Sequence, residues 1–197
     1  HAGDVGKAHA ILDSLRLARP GSAVLEEIEY VRALTYAAAG ETGEALARLK
    51  SAANADGRLI RAKAGRDLVR LELEEERIEA AEAIDRYDLL RFAWRGDGLE
   101  LDLMQRMAKL YLADGDYANG LGTYRQAITT FPDSPDVRVI ANIMNDTYKD
   151  LFIGSGADKL SPLEALAIFY DFRELTPVGA IGDQMIFQLA DRLVEVD

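Results

Sequence analysis

Two stretches of this chain hold small residues and aromatics at the same offsets. From Ala33 the order is Tyr36, Gly40, Ala45-Leu46, Leu49 and Ala52. From Ala108 it is Tyr111, Gly115, Gly120-Leu121, Tyr124 and Ala127. None of these side chains does chemistry, so their spacing speaks to packing. A small residue lets two helices cross closely, and an aromatic fills the space beside the crossing. A glycine ends the first helix where φ turns positive, and a second small residue lets the following helix return. Such a hairpin cannot bury its apolar face alone, which predicts a stack of hairpins.

Helix signals run through the rest of the chain. Apolar residues recur at spacings of three and four, alternating strand patterns are absent, and Pro and Gly fall between the periodic segments. The periodicity predicts helices over 4–18, 22–39, 43–55, 58–73, 76–95, 99–114, 117–131, 134–152, 162–175 and 178–196. Ser161-Pro162-Leu163-Glu164 is a capping box with proline at the first helical position. Thr176-Pro177 gives a similar start for the last helix. Residues 71–87 contain no Gly or Pro, so helices 58–73 and 76–95 can be read as two or as one. Short joins between helices of this length make neighbours antiparallel.

The repeated spacing, with Pro132 as a stop after the second copy, resembles the tetratricopeptide repeat (TPR), a helical hairpin of about 34 residues. The clearest copies are 26–59 and 101–134. Gly3-Asp4-Val5, Ala8, Leu12 and Pro20 fit the second half of a repeat, and Val137, Ile140, Ala141 and Met144 fit a first helix. Residues 60–95 fill a repeat-sized space with a poor match, and 162–197 diverge after the linker IGSGADKLSP. The resemblance implies one all-α domain over 1–197, a right-handed α-solenoid of about ten helices, here in a bacterial protein. The chain starts with His1 rather than Met, and Met185, Ile186, Phe187, Leu189, Leu193, Val194 and Val196 cover more than one face of the last helix. We therefore expect a piece of a longer array, or one that covers its ends by self-association.

The chain has 197 residues, no cysteine, and only His1 and His9 as histidines. That excludes a disulfide framework and a thiolate site, and leaves little for a histidine centre. The net charge is −11, with −3 over residues 1–98 and −8 over 99–197. An acidic surface argues against nucleic acid and anionic membranes as partners. No apolar run reaches the length of a membrane helix. Gly154-Ser155-Gly156 lacks the P-loop pattern, and the loop around Asp158 lacks calcium-ligand spacing. No nucleophile–base set appears, so we expect neither catalysis nor a cofactor.

The resemblance implies that ligands, peptides or partner proteins, lie on a concave face built from the first helices of each repeat. The positions carried over are Tyr30 and Leu34, Gln105 and Lys109, and Arg138 and Asn142, with Asn145 and Asp146 one turn on. Gln105, Lys109, Arg138, Asn142 and Asn145 can hold a carboxylate or a main chain. Arg138 and Asn142 imitate one element of the carboxylate clamp of chaperone-binding TPRs, whereas Tyr30 and Leu34 do not, which argues against a chaperone tail. A second candidate is the basic strip Lys63, Arg66 and Arg70, opposite the apolar line Ile60, Ala64, Leu68 and Leu71. The aromatics Phe169, Tyr170 and Phe172, and likewise Phe92 and Trp94, are expected in the core.

Overall fold

The structure is a computed structural model that describes residues 2–17 and 21–194. His1, the Pro20 stop and Val196 lie outside the described residues. The described residues form ten α-helices and no strand: α1 Ala2–Leu17, α2 Ser22–Ala38, α3 Thr42–Ala52, α4 Arg58–Glu74, α5 Ala80–Ala93, α6 Gly98–Ala113, α7 Tyr117–Thr130, α8 Val137–Ile153, α9 Pro162–Asp171 and α10 Ala180–Val194. Short 3-10 turns cover Ala157–Lys159 and Arg173–Leu175. The protein is therefore an all-α helical repeat. Among the described residues no helix is long and apolar enough to cross a membrane, and no group of His, Asp or Glu could hold a metal ion.

The chain forms two compact units, His1–Met107 and Ala108–Asp197, with the boundary inside α6. In the first unit α1 packs on α2, α2 on α3, α3 on α4 and α4 on α5. In the second, α7 packs on α8, and α10 packs on both α8 and α9. The core of the first unit gathers Tyr30, Ala33, Ala45, Leu46, Leu49 and Ala52 with Ile60, Ala64, Leu68 and Leu71 of α4. In the second unit Tyr124, Ile140, Tyr148, Leu151, Phe152, Phe172 and Met185 are almost completely buried. Tyr148 and Phe152 meet at 4.8 Å between ring centroids, and Phe169 meets Phe152 edge-on at 5.8 Å.

The small residues of the repeat are buried in both units. Ala33, Ala45 and Ala108 have no exposed surface. A Cβ added to Gly120 would stand 2.5 Å from Leu112 Cδ2 and 3.3 Å from the Ala108 carbonyl oxygen. Only hydrogen fits there.

The turns repeat as closely as the helices. Gly40 has φ +77°; its N–H donates to the Ala37 carbonyl at 3.1 Å, and the Glu41 N–H donates to Tyr36 at 3.0 Å. Gly115 has φ +84°; its N–H donates to Leu112 at 3.3 Å, and the Asp116 N–H donates to Tyr111 at 2.9 Å. Both are Schellman ends, which satisfy carbonyls that a helix otherwise leaves unpaired. A third copy closes α4. Glu76 sits at φ +53°, its N–H donates to Leu73 at 3.1 Å, and the Arg77 N–H donates to Glu72 at 2.8 Å. So residues 71–87 do break into two helices, with Glu76 where the other two turns have glycine.

The start of the last helix differs from expectation. It begins at Ala180, after Gly179 at φ +92°, and not at Thr176-Pro177. The Thr176 hydroxyl instead pairs with that of Tyr148 at 3.1 Å, so it belongs to the core of its unit and not to a cap. The Ser161 box is present: the Glu164 N–H donates to Ser161 Oγ at 3.3 Å and the Ser161 N–H to Glu164 Oε2 at 2.8 Å. Those bonds to Ser161 hold the Glu164 carboxyl below its ordinary pKa. Among the aromatics, Phe172 is buried, but Tyr170 and Phe92 are largely exposed and Trp94 is half-buried. Phe92 lies on the outer side of α5 and so stays out of the core.

Candidate functional site

In the first unit the polar positions of α2, α4 and α6 bond to one another. The buried Tyr30 hydroxyl on α2 donates to Asp67 Oδ2 on α4 at 2.6 Å. Arg66 grips both oxygens of Asp67, at 3.1 and 2.9 Å, and reaches Asp102 on α6 at 3.4 Å. Arg106 donates to the same Asp102 oxygen at 2.9 Å. Burial works against the Arg66 guanidinium, but the hydrogen bond and charge of Asp67, with Asp102, outweigh it and hold Arg66 protonated more firmly than free arginine. Burial, helped by the Asp67 hydrogen bond and charge, pushes the Tyr30 phenol well above its ordinary value.

This ladder changes what the basic strip can do. Arg66 is taken by Asp67 and Asp102, and Arg70 by Glu74 at 2.7 Å, with Asp67 at 3.9 Å. Lys63 is half-buried and makes no ion pair with a described residue. Tyr30 is turned into the core, and Leu34 packs beside it. Gln105, also in this unit, is half-buried.

Polar residues of α8 in the second unit are open. Arg138, Asn142 and Asn145 follow one another at helical spacing along α8, and all three are exposed, as are Asp146 and Lys109 of α6. Lys109, Arg138, Asn142 and Asn145 make no hydrogen bond or ion pair with another described side chain. On the other side of α8, Ile140, Met144, Tyr148 and Leu151 are buried. The helix thus offers a free row of one guanidinium and two amides, donors that suit a carboxylate or a peptide main chain.

The structure adds a feature that sequence reasoning missed. A slot of about 330 Å³ lies on α4 against α5, floored by Ala62, Gly65, Val69 and Leu90 and bounded by Ala53, Leu89 and Ala93. Beside it α5 comes close to α4 at Gly65, where a Cβ would meet Leu90 Cδ2 at 2.9 Å. A lone glycine within a helical pattern was the available signal. Arg58, Arg61 and Arg86 stand around the slot. The Arg86 guanidinium is held by Glu72 at 2.7 Å. The Arg58 guanidinium donates only to the Ala93 carbonyl, at 3.2 Å, and that of Arg61 only to the Ala55 carbonyl, at 3.0 Å.

On α9, α10 and the segment joining them, Leu163, Tyr170, Val178, Ile181, Ile186, Phe187 and Val194 are exposed. No protein-family model matches this chain, and no curated protein matches it.

Proposed function

We propose that this chain is a TPR-like, non-catalytic scaffold that binds a peptide or partner protein through the first helices of its repeats. The observation that carries the reading is the free row Arg138, Asn142 and Asn145 on α8. Unpaired donors on a rigid helix hold their geometry before the partner arrives, which lowers the ordering cost of binding. Lys109, in the same unit, is the further cation that the proposal assigns to this surface.

Affinity capture with the chain as bait tests it. The wild type is compared with Lys109→Glu combined with Arg138→Glu. Loss of a defined polypeptide from the double variant, with an unchanged thermal melt, supports the α8 face. Capture of the same polypeptides by both proteins removes it.

A second reading rests on the uncovered apolar surface of α9 and α10. In it the chain is an assembly element that covers this surface with another copy. Light scattering decides between them: a dimer or larger species that Phe187→Ser returns to monomer supports self-assembly, and a monomer at high concentration removes it.

A further inference from the structure

We infer that the slot between α4 and α5 is a second docking site, and that its occupant is a partner segment with an apolar anchor flanked by carboxylates. The inference rests on the reading of the chain as an interaction scaffold, but places the contact on helices of the first unit.

The floor of the slot is apolar: Ala62, Gly65, Val69 and Leu90 contribute no hydrogen-bonding side chain. Its volume of about 330 Å³ accommodates one or two large side chains, near the lower end for a ligand pocket. Charge selects the rest of the occupant. The chain carries −11 overall, and in this unit Arg32, Arg48, Arg66, Arg70, Arg86 and Arg91 each have a carboxylate partner. Arg58 and Arg61, one turn apart at the same end of the slot, have none among the described residues. Arg95, close by in sequence, lies over the Phe92 ring at 4.7 Å and also lacks a carboxylate. Arg58 itself lies over the Trp94 ring at 5.9 Å, and Asp97 is engaged by the Trp94 indole at 2.7 Å and by the Leu99 N–H at 2.9 Å. Two forked donors beside an apolar hollow suit a pair of carboxylates carried one turn from a Leu- or Phe-type anchor.

The shape favours a polypeptide over a free fatty acid. The slot is open at Leu89 of α5, which is 69% exposed. A single acyl chain there would leave much of itself in water. A segment with side chains to either side covers the hollow and the rim together.

The test is selection of a phage-displayed random 16-residue library on the full chain, followed by fluorescence anisotropy of the enriched peptides. We expect peptides that combine a large apolar residue with Asp or Glu. Arg58→Glu combined with Arg61→Glu should weaken them at least tenfold, and Leu89→Asp, on the exposed rim, about as much. Lys109→Glu with Arg138→Glu should leave this binding unchanged, which separates the slot from the α8 face. Enrichment without acidic residues, binding indifferent to the Arg58 and Arg61 changes, or no enrichment overturns the inference. So does laurate that displaces the peptides with sub-micromolar affinity, because the slot would then be a lipid site.

Discussion

The two units put polar side chains of their helices to opposite uses. In the first, Tyr30, Asp67, Arg66 and Asp102 link α2, α4 and α6 by direct bonds, and the charge is consumed internally. In the second, Arg138, Asn142 and Asn145 stand along α8 with their polar heads free. Small residues, turns and apolar faces are shared, so the repeat fixes the backbone while leaving these polar positions open to either use. A bond between neighbouring helices stabilises the stack, and the same residue left unpaired is available to a partner.

The largest effect that separates the units comes from breaking the ladder. Asp67→Ala leaves the Tyr30 hydroxyl and part of the Arg66 guanidinium without their acceptor. We expect a loss of about 3 kcal/mol, at the low end for a broken buried pair, because Arg66 is partly exposed and keeps Asp102. In the second unit Arg138→Ala should change stability by less than about 0.5 kcal/mol, as exposed positions do. Urea denaturation of both variants checks the contrast. Equal losses would mean that α8 also relies on its polar row.

Next in size is the small-residue crossing. Gly120→Val pushes a side chain into Leu112 and the Ala108 carbonyl, and should cost about 2 kcal/mol by overpacking. Gly122, two residues on, has open space where its Cβ would point. Gly122→Ala should therefore stabilise by about 0.5 kcal/mol, the ordinary gain from removing a helical glycine. Thermal melts with opposite signs at these two glycines would tie the crossing to one position, and a shared sign would undo that assignment.

These glycines also mark how much of the structure was legible. Gly120 announced its crossing because its offset matched Ala45, and Gly40 and Gly115 announced their turns. Helix number and type followed from periodicity. Glu76 gave no signal, since a left-handed turn at glutamate has no distinctive composition. Thr176-Pro177 looked like a helix start because cap residues read alike whether their hydroxyl bonds a backbone N–H or a distant Tyr148. At the candidate sites the row on α8 could be named from the resemblance, but not whether it stayed unpaired. That Arg66 would be taken by Asp67 and Asp102 depends on which helix lies beside α4. The Arg58 and Arg61 slot depends on how α5 lies against α4.

A smaller effect compares two buried tyrosines. Tyr30→Phe removes a hydrogen bond to the buried Asp67 carboxylate and should cost about 1.5 kcal/mol. The Tyr124 hydroxyl is buried and meets no partner among the described residues, so Tyr124→Phe should be neutral or stabilising by up to about 1 kcal/mol. Alkaline titration adds a second readout. The folded Tyr30 keeps its proton above the unfolded value of about 10, so the unfolded state then binds fewer protons and stability falls as pH rises past that point. Burial raises Tyr87, Tyr124 and Tyr148 in the same direction, so Tyr30→Phe should make the fall shallower without abolishing it.

The finest test lies in the turns, where the units differ by one residue type at a shared geometry. Glu76 and Gly115 occupy the same left-handed position after α4 and α6. A side chain there costs about 1–2 kcal/mol, partly offset because glycine gives the unfolded chain more freedom. Glu76→Gly should therefore stabilise the first unit by about 0.5 kcal/mol, while Gly115→Ala should weaken the second by about 1 kcal/mol. If Glu76→Gly instead destabilises, the carboxylate contributes something the backbone geometry does not, and the likeness between the turns ends at their hydrogen bonds. If both shifts appear with the expected signs, the divergent hairpin over 60–95 obeys the same turn rule as its clearer neighbours. Its poor match then comes from side chains that changed while the backbone stayed the same.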